Sequence, residues 1–178
     1  MTPPTHHDEF LVLVEEHKKI LYKVANSYCC NPADRPDLIQ EIVLQLWRSF
    51  HRFDDSYRFS TWMYRVALNV AISSYRRERL RTSRTVVVEE SALEVAAAEQ
   101  ATESDRDNIR LLYELIHRLD ELNRAFALLY LEGYSHAGIA EILGISESNS
   151  ATKLSRIKQE LRRMFDRSGV SNKQGAAR

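Results

Sequence analysis

Apolar residues recur every three or four positions along most of the chain, and this spacing predicts amphipathic helices. A first helix is expected over residues 10–28, ended by the proline-containing stretch 31–36. A second helix follows and continues to Phe50, with its apolar residues on one side. The polar side of this second helix carries Asp37, Gln40, Glu41 and Gln45.

The stretch HRFDDSYRFS, residues 51–60, lacks that spacing and predicts a loop. Ser60 or Thr61 is expected to cap the next helix, which passes through Trp62 and ends in a series of arginines. Together these elements predict one compact helical domain over residues 8–82.

The composition changes after this first domain. Residues 83–106 contain many acidic and few large apolar side chains, which predicts a flexible linker. Helical spacing then returns over residues 107–167, before a polar tail at 168–178. The sequence therefore predicts an all-α fold in which two small helical domains are joined by a flexible acidic linker.

A helix-turn-helix pattern lies in the second domain. Ser135 is placed to cap one short helix, Gly144 supplies the left-handed residue that ends it, and Ser146 caps the next helix. In such a motif the second helix enters the major groove of DNA. An ordinary helical hairpin with a solvated basic face has the same spacing, so the pattern alone leaves both interpretations open.

The charges are balanced overall but unevenly distributed. The chain of 178 residues has 25 basic and 25 acidic side chains, which argues against a simple polycation. Basic residues are concentrated over 58–84 and again after Asn149, on either side of the acidic segment. A run of charge is usually a solvated face, but two basic segments that each end a helical region favour two contacts with a polyanion.

Several other kinds of protein are disfavoured. No segment has the apolar length of a membrane span or of a signal peptide, so a cytoplasmic protein without membrane insertion is expected. Cys29 and Cys30 are adjacent, which suits ordinary thiols better than a redox or zinc pair. The six histidines form no metal-binding spacing, and no nucleophile–base pair is found. We therefore expect neither a metal, nor a cofactor, nor an enzymatic activity.

Two blocks of the sequence resemble a known family. The block over residues 37–80, which contains DLIQE and RFSTWMYRVALN, resembles region two of bacterial extracytoplasmic-function (ECF) sigma factors. The block over residues 115–165, which contains IAEILGIS, is similar to region four of the same family. The acidic segment between the two blocks also fits this family. The resemblance implies a specificity subunit that binds core RNA polymerase and promoter DNA.

For region two, the resemblance implies contacts with the clamp helices of the polymerase large subunit. The matching residues are Asp37, Gln40 and Glu41, whose acids fit a basic partner. A solvated helix face, with Asp37 complementing the helix dipole, is the alternative. Trp47 lies on the apolar side of the same helix and is expected mainly in the core.

The resemblance also implies that the following loop and helix hold the melted minus-ten element. Trp62 is expected in the core, while for Tyr57 and Phe59 packing within the loop and contact with a base both stay open. The matching residues are Asp54, Asp55, Ser56, Tyr57, Arg58, Phe59, Ser60, Arg65, Asn69, Arg76 and Arg77.

For region four, the resemblance implies contact with the minus-thirty-five element. Many family members carry Thr-Val-Lys-Ser-Arg where this chain has residues 149–153, and an acid where it has Gly138. The preferred promoter sequence is therefore not transferable from relatives. The matching DNA-binding residues are Ser148, Asn149, Thr152, Lys153 and Arg156.

Two other functions are considered beside the sigma factor. A sigma mimic would sequester an anti-sigma factor without binding DNA, but weakened basic faces would then be expected. A plain helix-turn-helix regulator would leave the first block unexplained. An anti-sigma factor is also a candidate partner of a true sigma factor, although the sequence does not specify the type of control.

Overall fold

The structure is a computed structural model that describes residues 6–54, 56–82 and 103–167. Every regular element in these ranges is a helix, which confirms the predicted all-α class. The chain divides into two compact units, Met1–Ala92 and Leu93–Arg178. The predicted tail and most of the predicted linker lie outside the described residues.

The described residues of the first unit form four α-helices. They are α1 (His6–Glu16), α2 (Lys18–Tyr28), α3 (Arg35–Ser49) and α4 (Phe59–Thr82), with 3-10 turns at Pro32–Asp34 and Phe50–Arg52. Helices α2, α3 and α4 pack against one another. Because one side of each helix is apolar, their packing produces a shared core. This core includes Leu21, Val24, Leu38, Ile42, Leu46, Met63, Tyr64 and Leu68.

The predicted first helix is divided into α1 and α2 at His17. The ring Nδ1 of His17 donates a hydrogen bond to the carbonyl of Leu13 at 2.9 Å. The same ring packs against Phe59, with the ring centroids 5.3 Å apart. The backbone amide of His17 also donates to the carbonyl of Leu13, at 3.2 Å, so this carbonyl accepts two hydrogen bonds at the boundary between α1 and α2. The apolar spacing gave no sign of this boundary.

Helix α4 begins earlier than predicted. It starts at Phe59, and the carbonyl of Arg58 accepts the amides of Thr61 and Trp62 at 3.0 and 3.2 Å. Ser60 and Thr61 therefore lie inside the first turn, and the prediction that either caps this helix is wrong. Burial of Phe59 in the core explains the earlier start, since the helix places its ring inward.

The part of the second unit that the structure describes, residues 103–167, forms four further helices: α5 (Glu103–His117), α6 (Glu121–Leu131), α7 (His136–Leu143) and α8 (Glu147–Arg167). Residues 103–106 were predicted to belong to the linker but form the first turn of α5. Their low apolar content hid this turn, although no glycine or proline interrupts the segment.

A buried arginine joins α5 to α6. Arg124 is almost fully buried, and its Nε donates to the carbonyl of Leu119 at 3.0 Å. Its Nη2 also donates to the carbonyl of His117, the last residue of α5. A cation is favourable at the C-terminus of a helix, where carbonyls lack intrahelical partners.

The predicted helix-turn-helix is confirmed in its details. Ser135 Oγ accepts the amide of Gly138 at 3.1 Å, and Ser146 Oγ accepts the amide of Asn149 at 3.3 Å. Gly144 adopts φ 68°, the left-handed conformation that ends α7. At Gly138 a Cβ atom would lie 3.2 Å from Cδ1 of Tyr134, so this glycine makes room for the tyrosine ring.

Candidate polymerase and nucleic-acid interfaces

The polar side of α3 is open to solvent. Asp37, Gln40 and Glu41 are all exposed, while Leu38 and Ile42 on the opposite side are buried. This alternation follows from helical spacing, since residues on opposite sides differ by about half a turn. The α3 surface therefore offers two carboxylates and an amide to a ligand.

Trp47 lies at the rim of the core rather than inside it. Its side chain is 41% exposed, and its ring makes edge contacts with His7 and Phe10 at centroid distances of 5.3 and 5.0 Å. Leu44, one turn earlier, is also exposed. The expected core position thus holds for only part of the Trp47 ring, because α1 covers one edge and leaves the rest open.

Glu41 also makes a contact that the sequence did not indicate. Nη2 of Arg77 lies 3.0 and 3.3 Å from the two carboxylate oxygens of Glu41. The two residues are far apart in the chain and belong to different helices, α3 and α4. One predicted polymerase-binding residue is therefore paired with one predicted DNA-binding residue.

The loop before α4 has an ordered turn with an exposed tip. Asp54 Oδ1 accepts the amide of Ser56 at 3.0 Å, and hydrogen bonds from Ser56 lower the pKa of the Asp54 carboxyl. Tyr57 is 57% exposed and Arg58 is exposed as well. The loop thus presents an aromatic face and a cation side by side, while Asp55 lies outside the described residues.

The aromatic residues in and beside this loop pack together as a cluster. Phe59 is buried, and its ring lies 5.4 Å from both Phe53 and Trp62 and 6.4 Å from Phe50. Trp62 and Phe53 are half-buried. Of the two alternatives left open for Phe59, its position favours packing within the loop, because its ring has no exposed face to offer a base.

Along α4, three predicted DNA-binding residues lie in one line. Successive residues on a helix are about 100° apart, so Arg65, Asn69 and Arg76 fall within roughly 40° of one another. All three are exposed. Arg77 lies about 100° from Arg76, on the side that faces α3. The structure therefore separates Arg77 from the other three.

The exposed residues of α8 form a second line. Ser148, Asn149, Thr152 and Arg156 are all exposed and fall within an arc of about 100°. Thr152 Oγ1 donates to the carbonyl of Ser148 at 3.0 Å, which fixes its orientation. This side of α8 continues toward the helix end through three further exposed residues that were not among the predicted DNA-binding residues: Ser155, Gln159 and Arg163.

Lys153 is placed differently from the other predicted α8 residues. It is half-buried, and its Nζ lies 5.7 Å from the ring centroid of Phe126 in α6. Lys158 makes a closer contact of the same kind, 4.0 Å from the centroid of Tyr130. Cations are attracted to the faces of aromatic rings, so both lysines tie α8 to α6.

Ser150 is a fully buried polar residue on the inner side of α8. Its hydroxyl has no hydrogen-bond partner among the described residues. A buried hydroxyl without a partner destabilises the folded state, since it loses its hydrogen bonds to water. This is also the position at which the family pattern quoted above has valine.

We expect Ser150→Ala to stabilise the second unit by about 1 kcal/mol, because it removes the unsatisfied hydroxyl. Amide hydrogen exchange in α6 and α8 measures this change. Ser155→Ala is the matched control, since it makes the same replacement at an exposed position of the same helix. Faster exchange in Ser150→Ala than in the original chain would contradict the prediction.

Neither a membrane span nor a metal site is found among the described residues. None of their helices has the length and apolar composition needed to cross a membrane. They contain no group of three or more His, Cys, Asp or Glu side chains placed to hold a metal ion. Burial raises the pKa of the Cys29 thiol to about 11, so this thiol stays protonated at neutral pH.

Comparison with known families and proteins identifies both units. The model of Sigma-70 region 2 matches residues 13–81, and the model of Sigma-70, region 4 matches residues 109–161. These segments contain α2, α3, α6 and α7 completely, α4 except its last residue, and most of α5 and α8.

Similar proteins extend over nearly the whole chain. The ECF RNA polymerase sigma factor SigW of Bacillus subtilis is 23% identical over 167 residues, covering 89% of each chain. The ECF RNA polymerase sigma factor SigL of Mycobacterium tuberculosis is 27% identical over 164 residues, covering 89% of this chain and 90% of SigL.

Two solved structures share the fold. The sigma factor RpoE, in complex with the anti-sigma factor NepR from Bartonella quintana, has a TM-score of 0.69 and 17% identity. That match covers 90% of this chain and 96% of RpoE. CnrH, in complex with the cytosolic domain of CnrY, has a TM-score of 0.61 and 22% identity, covering 88% and 87%. The chain belongs to the ECF group of the sigma-70 family and is an RNA polymerase sigma factor, which directs promoter recognition and transcription initiation.

Proposed function

We propose that this sigma factor binds core RNA polymerase through α3, holds the melted minus-ten element with the loop and α4, and binds the minus-thirty-five duplex with α8. One observation carries the proposal: each unit has a separate line of exposed polar and basic residues on a single helix. We further propose that the protein acts in the cytoplasm, by binding and without a reaction of its own.

The exposed side of α3 has the chemistry for a polymerase contact. Asp37 and Glu41 offer negative charge, and Leu44 and Trp47 add exposed apolar surface beside them. Interfaces commonly combine apolar contact with complementary charge, which sets orientation and the rate of association. A basic and apolar helix of the polymerase fits this surface.

We expect Asp37→Lys to weaken binding to core polymerase about tenfold, because it opposes a basic partner with like charge. Fluorescence titration of labelled chain with core polymerase measures the affinity. Glu16→Lys, which makes the same charge change at an exposed position of α1, is the control. Equal affinities for the two variants would mean that Asp37 is merely solvated.

The loop and α4 have the chemistry for single-stranded DNA. Bases stack on exposed aromatic rings, and arginines hold the phosphates of the strand. Tyr57 supplies the exposed ring, Arg58 and Arg65 supply nearby charge, and Asn69 and Arg76 continue the line along α4. Such contacts would offset the stacking and pairing energy lost when the promoter opens.

Helix α8 has the chemistry for duplex DNA. Asn149 lies in its first turn and carries both a donor and an acceptor, which suits adenine in the major groove. Arg156 follows on the same arc and reaches either a guanine or a phosphate. Ser148 and Thr152 lie on the same arc and offer smaller polar contacts.

Replacement of Arg156 should weaken duplex binding more than replacement of Lys153. Arg156→Ala removes an exposed cation and should lower the salt dependence by about one phosphate contact. Lys153→Ala should instead mainly loosen the packing of α8 on Phe126. Binding to promoter duplex at several salt concentrations, with α8 hydrogen exchange, separates the two effects. An unchanged salt slope in Arg156→Ala would contradict the assignment.

We also propose an anti-sigma protein as a partner. RpoE and CnrH, which share the fold, were each solved in a complex, RpoE with an anti-sigma factor. The exposed side of α3 and the apolar residues beside it would be available to such a protein. Competition between a candidate anti-sigma protein and core polymerase for the chain tests this.

The proposed function is tested by transcription from a library of promoter sequences. Purified chain is added to core polymerase, and transcripts that depend on the chain are sequenced. A shared pair of upstream elements is the expected result. Binding to core polymerase without any promoter-dependent transcript would contradict the proposal, as would a failure to bind core polymerase.

A further inference from the structure

The ion pair between Glu41 and Arg77 connects two surfaces that the proposed function assigns to different ligands. Glu41 belongs to the α3 surface for polymerase, and Arg77 belongs to the basic end of α4. Both contacts of the pair are within hydrogen-bond distance, 3.0 and 3.3 Å from one nitrogen of Arg77. A cation that binds Glu41 therefore competes with Arg77, and an anion that binds Arg77 competes with Glu41.

The ion pair with Glu41 directs the side chain of Arg77 toward α3. Arg65, Asn69 and Arg76 lie in one line on the exposed side of α4, whereas Arg77 is turned toward α3. Its charge is partly neutralised by Glu41. Without this partner, Arg77 has enough side-chain freedom to reach a phosphate next to the contact of Arg76.

Two other ion pairs of the described residues do not join the α3 surface to α4. Arg81 pairs with Glu78 inside α4, and Lys18 pairs with Glu15 at the junction of α1 and α2. Neither involves a residue of the α3 surface. The pair of Glu41 and Arg77 thus differs from both because it joins the α3 surface to the basic end of α4.

We infer that Glu41 is a positioning residue for Arg77, holding its guanidinium in the free chain and releasing it when core polymerase binds Glu41. The inference rests on the proposed function, since it takes α3 as the polymerase surface and α4 as the DNA surface. In the free chain Arg77 is withheld from DNA, and in the holoenzyme it contacts a phosphate of the single strand.

The strength of the pair suits this role. The side chains of Arg77 and Glu41 are 61% and 44% exposed, and exposed ion pairs are weak because water and salt screen them. A basic side chain of the polymerase, placed in a less exposed interface, can therefore displace Arg77. The expected effect on DNA affinity is about two- to fivefold, a bias rather than a block.

The first experiment measures binding of the free full-length chain to a labelled single-stranded DNA of about 20 nucleotides and mixed sequence, since phosphate contacts need no particular bases. Glu41→Gln should tighten binding about two- to fivefold and steepen the salt dependence by roughly one phosphate contact. Glu16→Gln, which removes one exposed acid from α1, is the charge-matched control.

The double variant that combines Glu41→Gln with Arg77→Gln should lose the gain in affinity for single-stranded DNA. Equal gains in Glu41→Gln and Glu16→Gln, or a gain that survives in the double variant, would overturn the inference.

The second experiment tests whether binding of core polymerase releases Arg77 from Glu41. Arg77→Gln should weaken binding of the holoenzyme to a premelted promoter more than it weakens binding of the free chain to single-stranded DNA. Equal losses in the two states would contradict release by polymerase. Binding of the original chain to core polymerase is measured separately, so that a failure of the proposed function is distinguished from a failure of the pair.

Discussion

Tyr57→Ala should reduce open-complex formation by the holoenzyme about tenfold while duplex binding by the second unit stays intact. Stacking of a base on an aromatic side chain contributes about 1–3 kcal/mol in single-strand complexes, which corresponds to this loss. Tyr57 is the exposed ring of the loop, and its contact would form only after the strands separate. Arg65→Ala should act in the same direction through a lost phosphate contact.

The measurement is permanganate reactivity of unpaired thymines, on duplex promoter and on a promoter with a premelted bubble. The bubble should partly restore binding if Tyr57 contributes to melting, because the cost of separating the strands is then already met. Tyr22→Ala is the control, since Tyr22 is similarly exposed but belongs to α2. If both Tyr57→Ala and Arg65→Ala opened the promoter normally, the proposal that the loop and α4 contact the minus-ten element would be wrong.

Phe59→Ala should destabilise the first unit by about 3–5 kcal/mol, the usual cost of deleting a buried phenylalanine ring. Its ring contacts His17, Phe50, Phe53 and Trp62, so the substitution leaves a cavity below the loop. Tyr57→Ala, two residues earlier, should change stability by less than about 0.5 kcal/mol because the side chain is exposed.

Urea unfolding followed by tryptophan fluorescence measures this difference. Trp47 and Trp62 are the two tryptophans of the chain, and both lie in the first unit, so the signal reports on that unit. Phe59→Leu should recover most of the stability. If Phe59→Ala left the unfolding free energy unchanged but abolished promoter opening, a direct base contact would replace packing as its role.

The helix ends and the exposed helix sides discussed here depend on residues close together in the sequence, so the sequence predicts them. The caps at Ser135 and Ser146 and the left-handed Gly144 depend on residues within one turn, so their positions were predicted correctly. The exposed side of α3 follows from helical spacing in the same way.

Several differences between the structure and the sequence-based expectations involve contacts distant in sequence. The boundary between α1 and α2 lies at His17, whose ring packs against Phe59, a residue remote in the chain. The start of α4 is moved by burial of the same phenylalanine. Lys153 and Arg77 belong to basic segments, yet each is turned toward a partner on another helix that spacing cannot reveal. The specific roles of the site residues remain predictions.

The close approach at Gly138 has a consequence for exchanging parts between family members. A Cβ atom at position 138 would lie 3.2 Å from Cδ1 of the Tyr134 ring. A side chain at Gly138 would require the Tyr134 ring to shift by a few tenths of an ångström, so the two positions are coupled. Chimeric sigma factors that take α7 from a relative should take the preceding turn with it, as one transferable segment.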